Sequence, residues 1–190
     1  GVAHRSISRD SYAESVGTSA AILINASANS RKYLAEQDWH ADFEASVASV
    51  ARTLRDFTAD LYVLISSVDV YNVLDDPAQN GEDAIIDPVR LSAYGFHKYL
   101  AEACVRRDAR RWLIVRLAGM VGPGLKKNPV FDVLNGRPLS IHPDSGYQFM
   151  STDAVADIVW RLIEAGVTNR VVNVCGQGLI SPRAISELAG

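Results

Sequence analysis

A tyrosine and a lysine lie one helical turn apart, at Tyr94 and Lys98, in a segment whose composition favours a helix. Side chains four residues apart lie on the same face of a helix. An isolated tyrosine has a pKa of about 10 and is a poor base at neutral pH, and a cation beside it lowers that pKa. The pair could therefore take a proton from a substrate hydroxyl while a hydride leaves the same carbon.

The spacing alone is weak evidence for this chemistry. The chain contains seven tyrosines and four lysines, so a Tyr-x-x-x-Lys spacing arises by chance at about one in seven. Whether the pair is catalytic depends on the elements that position it.

Short apolar runs alternate with segments of helical periodicity along most of the chain. The run at 61–65 is apolar throughout, which is typical of a strand covered on both faces in a parallel sheet. The alternation predicts an α/β fold with a mostly parallel sheet and helices on both faces. We expect strands at 20–24, 61–65, 112–117 and 170–174, an edge strand at 137–141, helices at 42–57 and 93–107, and helices beginning near 152 and 182.

Two polar segments follow predicted strands. Ser66 and Ser67 come directly after the run at 61–65, and the small residues 25–29 follow the first strand. Open α/β sheets bind ligands at the carboxyl ends of their strands, so these residues could line a site. Ordinary turns at the strand ends are the alternative interpretation.

Composition excludes several classes of protein. The 190 residues are 48% hydrophobic and 22% charged, which is typical of a globular protein. The net charge of -3 does not favour a surface that binds nucleic acid or a membrane. The two cysteines, Cys104 and Cys175, fall on separate predicted elements and favour a reducing, cytoplasmic location. The four histidines are scattered, so no metal site is predicted.

Five segments, in order, resemble the extended short-chain dehydrogenases/reductases of the NAD-dependent epimerase/dehydratase family. The middle one is the catalytic Tyr-x-x-x-Lys motif at Tyr94 and Lys98. The others are the small-residue loop at 25–28, a Ser-Ser-x-x-Val-Tyr segment at 66–71, an Arg-Leu-x-x-x-x-Gly-Pro loop at 116–123 and the approach to a late helix at 148–156.

The resemblance implies roles for individual residues. Tyr94 would be the general acid/base, Lys98 would hold the nicotinamide ribose and lower the Tyr94 pKa, and Ser67 would hydrogen-bond the reacting oxygen. The cofactor would be NAD or NADP, and the substrate a hydroxyl or carbonyl compound such as a nucleotide sugar. Further residues would line the cofactor (Ala26, Ser66, Leu117 and Met120) and the substrate (Asn128 and Gln148). A homodimer would form through the helices at 42–57 and 93–107.

The chain departs from the family pattern at two places. No three glycines have the Gly-x-x-Gly-x-x-Gly spacing that cradles a pyrophosphate, and the first strand resembles the family's fourth. We therefore expect 1–190 to be one partial, N-terminally truncated Rossmann-like domain lacking about 60 residues, the length of two βα units. A small substrate-side portion would come from about 125–150 and 176–190. The second departure is on the helix at 42–57. In the family this helix often carries an asparagine that supports a proton relay, whereas here Ser46 and its neighbours occupy the comparable positions.

Two functions remain open from the sequence. The first is an NAD(P)-dependent epimerase, dehydratase or reductase that uses Tyr94, Lys98 and Ser67. The second is a non-catalytic Rossmann-like module for binding or regulation, which the missing glycine turn would favour.

Overall fold

The structure is a computed structural model that describes residues 3–139 and 141–189. Strands and helices alternate through most of it, as the hydrophobic pattern predicts. The strands are β1 (Ser19–Asn25), β2 (Thr58–Ser67), β3 (Trp112–Leu117), β4 (Gly119–Val121), β5 (Phe149–Ser151) and β6 (Arg170–Val174). The α-helices are α1 (Tyr12–Ser15), α2 (Lys32–Gln37), α3 (Trp39–Phe43), α4 (Ser49–Asp56), α5 (Ala93–Asp108), α6 (Pro129–Leu134), α7 (Thr152–Glu164) and α8 (Pro182–Ala189).

The main sheet is parallel, with the order β1-β2-β3-β6 in the described part of the chain. Its register places Ser67 opposite Leu117, and Leu117 opposite Val174. The carboxyl ends of β2, β3 and β6 therefore meet at one edge, and Ser67 lies there. The predicted Rossmann-like fold with a mostly parallel sheet is confirmed.

Helices cover both faces of this sheet. Tyr62 and Leu64 of β2 pack toward α4 and α5, whereas Leu61 and Val63 pack toward α7. Because successive side chains of a strand point to opposite faces, a strand covered on both sides must be apolar at every position. This explains the uninterrupted apolar run of β2.

Two short elements differ from the predictions. β4 and β5 form a separate two-stranded parallel sheet, where the sequence indicated a glycine-rich loop at 118–124. The edge strand predicted at 137–141 is wrong for the described residues 137–139 and 141, which form no strand, and Ser140 lies outside the described residues. Pro138 has no N–H to donate to a ladder, which disfavours pairing there.

The helix that precedes β2 is longer than predicted and contains a π-helical segment. α3 runs directly into π-helical residues Glu44–Ala48, and these run into α4. One-turn π-helical insertions are frequent at functional sites because they rotate the side chains before them relative to those after them. Asp42 and Phe43 lie immediately before this segment.

The long loop between β2 and α5 follows the outer edge of β6. Its Glu82 carboxylate accepts the backbone N–H of Asn173 at 2.9 Å, and the Asn173 side chain donates to the carbonyl of Asn80 at 3.0 Å. The hydroxyl of Tyr71 donates to Asn173 Oδ1 at 2.8 Å. The first of these bonds satisfies one backbone N–H that an edge strand leaves open.

The segments at 125–150 and 176–190 contact each other. α6 packs against α8, and Tyr147 and Ile180 exchange two backbone hydrogen bonds of 2.9 Å. Arg183 pairs with Asp144 at 2.6 Å. Nothing in the described chain forms a helix long and apolar enough to cross a membrane.

Candidate active site

Helix α5 carries the tyrosine-lysine pair. Ser92 caps its first turn by accepting the Gly95 N–H at 3.1 Å, which fixes where the helix begins. Tyr94 is 7% exposed and Lys98 is 6% exposed. The Lys98 Nζ lies 5.3 Å from the centroid of the Tyr94 ring, so the pair shares one face as the spacing predicts.

Gly95 allows α5 to approach the turn after β2. A Cβ at this position would overlap the carbonyl oxygen of Asp69. Because glycine has no Cβ, the 3₁₀ turn at Val68–Val70 packs directly on the first turn of α5. This contact places the end of β2, with Ser67, beside the first turn of α5, which carries Tyr94.

A carboxylate beside the serine was not singled out from the sequence. The Ser67 hydroxyl donates to Asp69 Oδ2 at 2.7 Å, and the Asp69 N–H donates back to Ser67 Oγ at 3.2 Å. Lys32, after the loop that follows β1, pairs with Asp69 Oδ1 at 2.5 Å. An Asp two residues after a strand-end serine is a signal that could have identified it, because Ser and Asp side chains commonly hydrogen-bond to groups a few residues away.

The pKa of Tyr94 differs in direction from the sequence-based expectation. Burial raises the pKa of Tyr94 above its usual value, the Asp69 carboxylate adds to the increase, and the Ser67 hydroxyl acts in the opposite sense. Burial lowers the pKa of Lys98 to about 8. Desolvation of the phenol outweighs the other effects on Tyr94, and the lowering of its pKa by Lys98 stays a prediction.

A second buried acidic group lies behind the pair. Asp42 is 2% exposed, and its Oδ2 lies 2.5 Å from Nδ1 of His97, the residue that precedes Lys98. Its other oxygen accepts from the Asn29 amide at 2.5 Å and from the Ser46 hydroxyl at 3.4 Å. Ser46 thus reaches Asp42 rather than the tyrosine-lysine pair.

The strand ends are fixed by a buried ionic network. Arg116 is 1% exposed and makes two hydrogen bonds to Glu102, from Nε at 3.0 Å and from Nη2 at 2.7 Å. Ser66 donates to the same carboxylate at 2.7 Å, and the Arg116 guanidinium lies 4.6 Å from the Tyr71 ring centroid. The Ser66 side chain is therefore directed into the interior, and only its backbone faces the end of the sheet.

The structure brings Ser67, Tyr94 and Lys98 together. The other residues that were predicted to line the cofactor lie on or after neighbouring strands. Ala26 is exposed after β1, Leu117 is 6% exposed in the core at the end of β3, and Met120 is 37% exposed.

The two predicted substrate residues occupy local structural positions. The Asn128 side chain caps α6 by accepting the Phe131 N–H at 3.1 Å, and it donates to the Met120 carbonyl at 2.8 Å. Gln148 is half-buried, and its carbonyl accepts the Gly119 N–H at 3.0 Å.

The fold closely matches solved enzymes at low sequence identity. RMD from Pseudomonas aeruginosa, complexed with NADPH, aligns with a TM-score of 0.74 at 22% identity, covering 88% of this chain and 65% of that one. UDP-glucuronic acid 4-epimerase from Bacillus cereus, complexed with NAD, gives 0.76 at 17% identity, covering 88% and 58%. DesIV, a dTDP-glucose 4,6-dehydratase from Streptomyces venezuelae with NAD bound, gives 0.76 at 18% identity, covering 94% and 58%.

The chain thus spans less than two thirds of the length of these enzymes. No curated protein sequence matches it significantly. The sequence model of the NAD dependent epimerase/dehydratase family matches residues 8–175. This match confirms the resemblance. It also confirms the nicotinamide class of cofactor at the level of the family. With most of its length matched in this way, the chain belongs to the NAD-dependent epimerase/dehydratase family.

Proposed function

We propose that this protein is an NAD- or NADP-dependent epimerase, dehydratase or reductase in which Tyr94 is the general acid/base. The observation that supports the proposal most directly is the convergence of Tyr94, Lys98 and Ser67 at the carboxyl end of the parallel sheet. Ligands of open α/β sheets bind at this end. A substrate hydroxyl there can meet the Tyr94 oxygen and the Ser67 oxygen together.

The hydrogen-bond directions assign a task to each side chain. The Ser67 hydroxyl donates to Asp69 in this structure; turned toward a substrate, it would donate its proton to the reacting oxygen, which leaves the substrate's own hydroxyl proton for Tyr94. Tyr94 takes the proton of that hydroxyl and returns it in the reverse reaction, while the Lys98 ammonium stabilises the phenolate. When bound, a nicotinamide cofactor would supply the hydride transfer, and Lys98 would hold its ribose.

The residues fit a nicotinamide ribose. Lys98 presents an ammonium group that has no carboxylate within 4 Å among the described residues and makes no hydrogen bond to them. Its three donors suit the hydroxyls of a ribose. Ala26, the Ser66 backbone, Leu117 and Met120 follow the neighbouring strands and would lie along the cofactor.

A nucleotide sugar is the substrate class that we propose. The Bacillus cereus and Streptomyces venezuelae enzymes of the same fold are named for UDP-glucuronic acid and dTDP-glucose. Segments 125–150 and 176–190 would form a small substrate-side portion of the single partial domain, with Asn128 and Gln148 beside the sugar.

Replacement of Tyr94 by Phe tests the assignment. In the full-length protein, Tyr94→Phe should lower kcat by about 10²- to 10⁴-fold, the usual contribution of a general acid/base. Tyr99→Phe, on the same helix and half-buried, is the matched control and should keep turnover near that of the parent. If Tyr94→Phe retains turnover within a few-fold, Tyr94 is not the acid/base.

One observation favours a second candidate, a non-catalytic binding or regulatory module. The sequence contains no Gly-x-x-Gly-x-x-Gly spacing of the kind that cradles a pyrophosphate. Titrating NAD(H) and NADP(H) into the chain separates the two candidates. The catalytic candidate predicts weak binding to residues 1–190, because this sequence has no glycine turn for the pyrophosphate. Tight binding without turnover on any nucleotide sugar would favour the module.

We also propose a cytoplasmic homodimer. The helix formed by α3 and α4 packs beside α5, and their outward faces would form the interface. The free thiols of Cys104 and Cys175 suit a reducing compartment. Light scattering that gives a monomer mass at micromolar concentration would exclude the dimer.

A further inference from the structure

Asp69 makes two hydrogen bonds to the Ser67 hydroxyl. The Ser67 Oγ donates its proton to Asp69 Oδ2 at 2.7 Å and accepts the Asp69 backbone N–H at 3.2 Å. Both side chains are largely buried at the end of β2. The one proton of this serine is therefore directed to a carboxylate rather than to the place where a substrate oxygen would react.

The two bonds have opposite consequences for a serine that must donate to a substrate. A hydroxyl has one proton and two lone pairs. The Asp69 N–H uses one lone pair and fixes the position of Oγ, and this bond persists when the proton turns about the Cβ–Oγ bond. The Asp69 carboxylate instead competes with the substrate oxygen for the proton. Because hydrogen bonds to charged acceptors are roughly twice as strong as those between neutral groups, this competition acts against the substrate.

Lys32 binds the carboxylate oxygen that Ser67 does not use. Its Nζ lies 2.5 Å from Asp69 Oδ1. The ammonium draws negative charge away from the bond to Ser67, and it remains a partner of the carboxylate after the serine proton has turned away. Asp69 is then not left without a donor, which would be costly for a largely buried carboxylate. The ion pair therefore lowers the free energy needed to release Ser67.

Helix α2 holds Lys32 next to this carboxylate. Lys32 is its first residue, and Glu36 lies one turn later on the same face. The Glu36 carboxylate accepts the Ala93 N–H at 3.2 Å, at the start of α5. Because α2 is bonded both to the turn after β2 and to α5, the Lys32 ammonium stays beside Asp69 although most of its side chain is exposed.

We propose that Asp69 is a positioning residue that competes with the substrate for the Ser67 proton, and that Lys32 weakens this competition so that Ser67 can turn to the substrate. The competition stands on the contacts among these three side chains. Its consequence for turnover rests on the proposed function, in which Ser67 donates to the reacting oxygen.

A double-mutant cycle in the full-length protein tests the competition, with UDP-glucose and dTDP-glucose as substrates. Asp69→Asn keeps the backbone N–H and the shape of the side chain but replaces the charged acceptor by a neutral one. It should raise kcat/KM by about three- to tenfold, the difference between hydrogen bonds to charged and to neutral groups. In the Ser67→Ala protein the same change should have no such effect, because no serine proton is left to compete for.

Replacement of Lys32 should act in the opposite direction. Lys32→Met leaves Asp69 more firmly bound to Ser67, so kcat/KM should fall by about two- to fivefold, the range for a partly exposed ion pair. Lys32→Arg keeps the charge and should restore most of the loss. Arg31→Met is the matched control: Arg31 is exposed, its described hydrogen bonds are made by its backbone, and kcat/KM should stay unchanged.

The exchange rate of the Ser67 hydroxyl proton gives a readout that does not depend on turnover. In a mixture of H₂O and D₂O, a serine with a slowly exchanging hydroxyl gives two ¹³Cβ NMR signals, which merge as exchange becomes faster. The signals that disappear in Ser67→Ala identify this residue. Since a bonded proton exchanges only when its bond opens, Asp69→Asn should speed exchange and Lys32→Met should slow it.

Equal effects of Asp69→Asn with and without the Ser67 hydroxyl would show that the carboxylate acts on the site by its charge alone, and this result overturns the proposal. A hydroxyl exchange rate that is the same in the parent, Asp69→Asn and Lys32→Met also overturns it. Circular dichroism confirms that each variant is folded. Lys32 is exposed, so its variants keep the test available if Asp69→Asn does not fold.

Failure of the proposed function gives a different result. In that case Tyr94→Phe and Ser67→Ala keep the turnover of the parent, or neither nucleotide sugar is turned over. The exchange rate of the Ser67 hydroxyl still responds to Asp69→Asn and to Lys32→Met.

Discussion

The relative position of Ser67 and Tyr94 depends on one residue without a side chain. Gly95 lies against the carbonyl of Asp69, so the turn after β2 and the first turn of α5 are in backbone contact. Any side chain at this position must push the two turns apart. Since Ser67 and Tyr94 sit on opposite sides of this contact, their hydroxyls would separate.

Gly95→Ala should therefore lower kcat by at least about tenfold, because misplacement of reacting groups by about 1 Å can cost as much as 10²-fold. The control is Gly81→Ala in the long loop, where a Cβ would have no atom within 4 Å. Steady-state kinetics on both variants checks the prediction. Equal activity would show that the turn can move without effect on the site.

The residues of the site differ in how far the sequence could predict them. Tyr94, Lys98 and Ser67 form a local spacing and a strand-end motif, which are visible in the chain itself. Asp42 and His97 are 55 positions apart and meet only because α3 packs on α5. Their pairing depends on tertiary packing, for which the sequence carries no periodic signal.

At the scale of elements, Glu102 joins α5 to two strands. It accepts hydrogen bonds from Ser66 of β2 and Arg116 of β3, and from Arg106 one turn along its own helix. Glu102 and Arg116 are almost completely buried, so each depends on the other for charge compensation.

Glu102→Ala should lower the free energy of unfolding by about 3–5 kcal/mol, because it leaves the Arg116 guanidinium buried without its partner. Arg106→Ala is the matched control. Its side chain is 34% exposed, and loss of its bond to Glu102 should cost about 1 kcal/mol or less. Urea denaturation measures both values. Similar losses in the two variants would show that the buried pair contributes no more than the partly exposed one.

The strands and long helices were predictable, because apolar runs and helical periodicity persist over five or more residues. β4 was not, since its three residues lie in the glycine-rich stretch 118–124 and are too few to carry a strand pattern. Its formation depends on β5: a Cβ on Gly119 would collide with the Phe149 ring, so the close pairing requires the same glycine that suggested a loop. The opposite error occurred at 137–141, where an edge strand was predicted and the described residues 137–139 and 141 form none.

At the scale of the whole molecule, buried titratable groups couple stability to pH. Lys98 has a folded pKa of about 8, below its unfolded value of about 10.4. Between these two values the unfolded chain binds more protons, so stability rises with pH. Tyr94 acts in the opposite sense: its folded pKa is raised, so its contribution is present below pH ~10 and is lost as pH rises further.

The free energy of unfolding should therefore rise by about 1–2 kcal/mol between pH 8 and pH 10, at up to 1.4 kcal/mol per pH unit for one proton, and should fall above pH 10. Lys98→Met should remove most of the rise. Lys127, whose pKa burial also lowers, contributes in the same direction but is less buried. Chemical denaturation at several pH values measures the profile. An identical profile in Lys98→Met would show that Lys98 keeps an ordinary pKa in the folded protein.

The loop that runs along β6 gives the sheet two unlike edges. The Asn173 contacts to Glu82 and Asn80 occupy one edge, whereas within the described residues the outer edge of β1 has no strand beside it. A sheet with two open edges can add copies of itself without limit and grow into a fibre. The contacts of Asn173 disfavour strand addition at the β6 edge. Mutations that release Asn173 would expose part of that edge and favour pairing with a second copy there.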